Sequence, residues 1–190
     1  MFFIRKPTQS QIERFLEASR NSSFSYTYVG STQKEAPESY TVDHNRLHIG
    51  NGEVDWEKAK RSIHNWKMFE IPWVELCWPN TPVQKDQTVA ILIRHFGFFS
   101  LNSARIVYVI DEPSHYGFAY GTLADHGESG EERFSVEIDR VTGEVWYDLF
   151  AFSRPNHFLA KLGYPLMRVL QKRFAIDSKT AMLRAMETIG

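Results

Sequence analysis

The chain has 190 residues and a net charge of −1, a size that suits one folding unit, taken here as residues 1–190. That charge gives no global field to draw in nucleic acid or an acidic membrane surface, and the single cysteine, Cys77, excludes an internal disulfide and thiolate-rich metal centres. No apolar run is long enough for a transmembrane segment, and Met1–Pro7 is too short an apolar run for a signal peptide, so a cytoplasmic protein is expected.

Taken in chain order, Thr8 is a good N-cap and Gln11 stands three residues on, a capping-box pattern. Ile12, Phe15 and Leu16 follow at helical spacing, which predicts a helix over 9–19. Phe24, Tyr26 and Tyr28 alternate with polar residues and predict a strand ending at Gly30. Residues 31–39 contain Pro37 and predict a loop. Tyr40–Ile49 is strand-like but charged, and Gly50-Asn51-Gly52 makes a turn. Val54, Ala59, Ile63 and Trp66 predict a helix over 53–68, which Pro72 stops. Strands are then expected at 73–78, 88–96, 104–110, 116–123, 133–139 and 145–152, divided by turns at 79–82, 111–114, 126–130 and 140–143. Connections this short favour an antiparallel meander, because parallel crossovers need helices for which there is no room. Residues 156–189 are rich in Leu, Ala, Met, Lys and Arg. A first turn or two should precede a main helix starting near Pro165, with Leu166, Leu170, Phe174, Ala181 and Ala185 on one face.

These elements define an α+β fold: a curved antiparallel sheet of six or more strands wrapped around a long C-terminal helix, with an extra N-terminal helix. A twisted sheet of this size curls, and one helix cannot touch all of its concave face. Large side chains or a pocket must occupy the rest. The 14% aromatic content, from 14 Phe, 8 Tyr and 5 Trp, serves either purpose. Val89–Ile93 is apolar on both faces, so the N-terminal helix or a partner subunit in a homo-oligomer must cover its outer side. Gly97, Gly117 and Gly121 sit in or beside strands, where glycine marks bulges or close backbone approach.

The run Gly117-Phe118-Ala119-Tyr120-Gly121-Thr122-Leu123, with His126 and Glu128–Phe134 after it, is distinctive. With Arg105–Val109, Phe152-Ser153-Arg154-Pro155 and Leu170–Phe174, it resembles the domain-of-unknown-function-1990 family of bacteria and plants. The resemblance extends upstream through Phe24-Ser25-Tyr26, Gly50-Asn51-Gly52 and Trp66 and so covers nearly the whole chain. That family is similar to the START-like, helix-grip proteins, also known for the birch-pollen-allergen fold. The resemblance implies the same sheet-around-helix architecture and an interior of a kind that often holds lipids, sterols or polyketides. It implies no particular activity.

Candidate site residues cluster at Tyr120, His126, Glu128, Glu131 and Glu132. In the strand after the loop, Glu132 shares a face with Phe134, Val136 and Ile138, which puts a carboxyl at the edge of the core. Such a group needs a partner or a raised pKa, and His126 is the nearby candidate. Arg94 alternates with Ala90, Leu92 and Phe96 and could grip a carboxylate or phosphate if that face points inward. Arg154 could close a pocket mouth, and Trp66 is a candidate for its lining. Against these stand plain readings: hairpin carboxylates bonded to backbone, and solvated arginines. His44 and His48 read as surface residues, and Cys77 as a packed thiol. His126, Glu128 and Glu131 supply acceptable metal ligands but no second clustered His, so no metal is expected. No phosphate-binding loop, dinucleotide fingerprint or nucleophile elbow is present, so no cofactor is expected. The sequence thus points to a protein that binds a small apolar, lipid-like molecule. An enzyme using the same pocket for acid–base chemistry, or an interaction domain with no pocket, are the alternatives.

Overall fold

The structure, a computed structural model, describes residues 1–78, 80–124, 126, 128–155 and 164–188. Helix α1 (Gln9–Ser19) carries the capping box its sequence predicts: Gln11 N–H donates to Thr8 Oγ1 at 3.4 Å, and Thr8 N–H donates to Gln11 Oε1 at 2.8 Å. Its apolar face, Ile12 and Phe15, packs on Ala90 and Leu92 of β4 (Thr88–Arg94) and Leu101 of β5 (Phe99–Glu112). Val89 and Ile91 point the other way, into the main core. The two-faced apolar strand is therefore covered on its outer side by the N-terminal helix of its own chain.

The remaining strands are β1 (Phe2–Phe3), β2 (Thr41–Asn51), β3 (Val74–Leu76), β6 (His115–Thr122), β7 (Glu128–Ile138) and β8 (Glu144–Pro155). They form one curled sheet in the order β2-β8-β7-β6-β5-β4-β3, with β1 beside β5, and every pairing is antiparallel. Helices α2 (Gly52–His64) and α3 (Tyr164–Thr188) cover the concave face. Trp56, Ala59 and Ile63 of α2 and Ala175, Ala181 and Met182 of α3 meet Ile106, Phe118, Phe134, Val136, Tyr147 and Leu149 in the main core. No helix among the described residues is long and apolar enough to cross a membrane.

Three expectations change. Phe24–Tyr28 is no strand: a lone bridge, Phe24 to Leu123, is its ladder contact, and the segment lies flat on the outer face with Tyr26 buried against Phe152. Rings facing down onto the sheet produce the alternation that imitates a strand. Strand β7 starts at Glu128, inside the stretch expected to turn. Gly130 permits this, because a Cβ there would sit 2.0 Å from the Phe152 carbonyl oxygen of β8. Helix α3 begins at Tyr164, beside Pro165, but Leu166 faces solvent and the buried stripe runs through Ala175, Ser178, Ala181, Met182 and Ala185. The turn or two expected before Pro165 falls outside the described residues.

Rings fill the centre of the space between sheet and helices. Trp66 stands 4.6 Å from Phe118, and Phe69 lies 5.4 Å from Phe134 and 5.6 Å from Phe174. Trp66 holds φ at +56°, a left-handed backbone that costs a non-glycine residue roughly 1–2 kcal/mol. Burial of its indole and the bond from its N–H to Thr81 O at 2.8 Å offset that cost. An open concavity of about 480 Å³ lies beside this cluster, lined by Trp66, Phe69, Ile71, Val74 and Arg184.

Candidate functional site

Strand periodicity sorts the acidic residues of β7. Even-numbered positions face inward: Glu132 shares the concave side with Phe134, Val136 and Ile138, as the sequence pattern predicts, and Glu128 follows the same parity. Glu132 stands directly across from Tyr120 of β6, and Tyr120 Oη donates to Glu132 Oε2 at 2.7 Å. Burial, the largest cause, pushes the Glu132 carboxyl up to about 7; the Tyr120 bond opposes that and the Glu128 charge adds to it. Burial likewise raises the Tyr120 phenol well above its usual range.

Glu128 is the second carboxyl of the pair. Gln171 Nε2 of α3 donates to Glu128 Oε1, and also to Ser153 Oγ at 2.9 Å. Burial pushes Glu128 up to about 7, against the opposing effects of the Gln171 bond and the Arg168 charge. Arg168 donates to Gln171 Oε1 at 2.5 Å and clasps Asp43 of β2 with both terminal nitrogens, one of them at 2.7 Å. The concave face thus ends in a polar patch contributed by β2, β6, β7, β8 and α3, set against the aromatic interior.

The structure brings Tyr120 and Glu132 together and ties Trp66 to them through Phe69, 5.7 Å from Trp66 and 6.2 Å from Tyr120. His126 is placed differently from expectation. Its Nδ1 accepts from the Glu128 backbone N–H at 3.0 Å, so it shapes the entry to β7, while Glu132 takes Tyr120 as its partner. Burial lowers the His126 pKa to about 4, leaving the ring a neutral acceptor.

Two arginines lie outside the site. Arg94 shares the outer face with Ala90 and Leu92, on the side covered by α1, and its head is in solvent. Strand parity decides this: Val89 and Ile91 point inward, so Arg94 cannot. Arg154 also projects from the outer face, with its guanidinium 4.5 Å from the Tyr40 ring. Glu131 leaves the acidic cluster for the same reason. It accepts from Tyr26 Oη at 2.6 Å, Gly30 N–H at 2.7 Å, Thr32 N–H at 3.0 Å and the Thr32 hydroxyl. It is a buried anchor for the outer loop.

Sequence reading missed Gln171, Arg168, Asp43 and Ser153. Arg168 and Gln171 are three apart on one helix, which places them on one side. Nothing local couples them to Asp43, 125 residues away.

A curled antiparallel sheet gripping a C-terminal helix defines a helix-grip protein, and here a half-buried acidic pair lies at one end of the concave face. The chain belongs to the family described as Domain of unknown function (DUF1990), which matches residues 25–181. A UPF0548 protein of Dictyostelium discoideum is 35% identical over 206 residues, covering 97% of this chain and 95% of that one. A UPF0548 protein of Deinococcus radiodurans is 36% identical over 197 residues, covering 97% and 98%. Among solved structures, a hypothetical protein of Helicobacter pylori superposes with a TM-score of 0.55 at 11% identity, over 76% of this chain and 86% of that one. That likeness is one of fold.

Proposed function

We propose that this protein binds a small, mainly apolar molecule between sheet and C-terminal helix, with the polar end of the ligand at Glu128, Glu132 and Tyr120. The observation that carries this reading is the pair of half-buried carboxyls on the concave face, each hydrogen-bonded by a neutral side chain, Gln171 or Tyr120. Burying such groups is costly, and purely structural carboxylates are normally met by several donors or a cation, as Glu131 and Asp148 are here. The adjoining aromatic rings supply an apolar wall against which the rest of the ligand would lie.

Nile red, a neutral apolar dye, tests the reading. Saturable one-to-one binding is expected, together with a copurifying small molecule in native mass spectra. Gln171→Trp, which puts a bulky ring at the acidic end in place of the Glu128 donor, is expected to lower dye affinity at least about tenfold. Unsaturable binding, or affinity unchanged in that variant, would overturn it.

One observation favours acid–base catalysis at the same place. A carboxyl held at about 7 beside a phenol is poised both to give and to take a proton near neutrality. Glu132→Gln should then keep dye binding and abolish turnover of any compound identified by copurification.

A further inference from the structure

A second feature lies at the far end of β4 and β5. His95 N–H donates to Phe98 O at 2.8 Å, closing a tight turn over Phe96 and Gly97, with Gly97 at φ +89°. The turn pushes Phe96 into solvent, 84% exposed. Pairing of β1 with β5, Phe2 to Ser100 and Phe3 to Phe99, brings a second segment beside it. There Phe2 is 72% and Ile4 87% exposed, and Phe2 and Phe98 meet edge to face at 5.9 Å. Scattered apolar residues on a surface are ordinary, but several large ones gathered from two segments at one tip are not.

Cations border this apolar tip. Arg5 adjoins Ile4 and Arg94 precedes the turn; both are exposed and make no ion pair among the described residues, while Lys6 is held by Glu75 at 2.6 Å. Although the net charge of −1 gives the whole chain no attraction to anions, this tip is locally basic and apolar. Aromatic and aliphatic side chains that enter the headgroup boundary, flanked by arginines that meet lipid phosphates, are what an anionic bilayer surface accepts.

We propose that the tip formed by Phe2, Ile4, Phe96 and Phe98, with Arg5 and Arg94, docks on anionic phospholipid membranes. The docking is peripheral and reversible, and it is independent of any ligand in the interior.

Sedimentation of the full chain with sucrose-loaded vesicles tests this. Binding is expected with 70:30 phosphatidylcholine:phosphatidylserine and weak or absent with phosphatidylcholine alone. Phe96→Ser should lower partitioning about tenfold, and Arg5→Gln and Arg94→Gln about fivefold each. All three positions are exposed, and unchanged thermal melting would confirm that each variant folds. Equal binding to both vesicle types, no binding to either, or full binding by Phe96→Ser would overturn the proposal. So would light scattering that shows a stable dimer lost in Phe96→Ser, which would assign the tip to a second copy of the chain.

Discussion

Glu132 concentrates the chemistry of the interior in one titration. Its folded pKa, about 7, lies above the value of 4.5 for a free glutamate, so the folded state holds a proton that the unfolded chain has released between those values. Stability therefore falls as pH rises through this window, the reverse of the usual paired carboxylate, and the loss is complete above about 7. Glu128 acts with the same sign over the same window. His126 acts at the other end. Its pKa is lowered to about 4, so the unfolded chain takes up a proton before the folded one, and stability falls as pH drops from the ordinary histidine range towards 4. Glu132→Gln keeps an oxygen to accept from Tyr120 and removes the ionisable group. The variant is expected to be more stable than the parent at pH 8, by roughly 1–3 kcal/mol, and to differ little at pH 5. Urea denaturation at the two pH values measures this. A variant less stable at both would mean that Glu132 is ionised and fully satisfied in the folded protein.

At the scale of elements, the outer loop and β7 depend on one another. Glu131 collects four donors from Tyr26, Gly30 and Thr32, and Arg133 donates to Thr32 O at 2.9 Å, so one strand ties down the segment before β2. Tyr26 in turn needs Gly121 beneath it, where a Cβ would lie 2.1 Å from its hydroxyl. Glu131→Ala leaves these donors without their acceptor and is expected to cost about 3 kcal/mol or more. Hydrogen exchange should rise across residues 24–40 while β6 and β8 remain protected; protection retained at 24–40 would show that ring packing alone holds the loop. This dependence also marks where the sequence stops being readable. Helix α1, strands β3 to β8 and the inward position of Glu132 all follow from short-range periodicity, which is visible in one stretch of chain. The loop posing as a strand at Phe24–Tyr28, the outward turn of Arg94 and Arg154, and the Asp43–Arg168–Gln171–Glu128 chain follow from which face is covered and which strands become neighbours. Those depend on contacts made across more than a hundred residues, as for Arg168 with Asp43 and Tyr26 with Glu131.

For the molecule as a whole, α3 is the element that joins the two edges of the sheet. Arg168 and Lys179 reach Asp43 and Asn45 of edge strand β2. On the opposite side Asp177 accepts from Trp73 Nε1 at 2.7 Å, next to edge strand β3, and Arg184 donates to Glu70 O at 2.9 Å. Between them Tyr147 and Ser178 share a buried hydroxyl contact at 2.8 Å, and Met182 is fully buried in the main core. A helix fixed at both edges and through the middle cannot leave without exposing the aromatic interior, so the chain should unfold as one cooperative unit. Met182→Ala removes three heavy atoms from that interface and is expected to cost about 2–5 kcal/mol. The sharper test is whether two probes still coincide in the variant. Far-UV circular dichroism follows α2 and α3, while tryptophan fluorescence follows Trp56, Trp66 and Trp73 around the core. Coincident urea transitions, shifted together, are the outcome this architecture requires. If helical signal were lost at lower urea than fluorescence, α3 would be a separable cover over a sheet that stands without it.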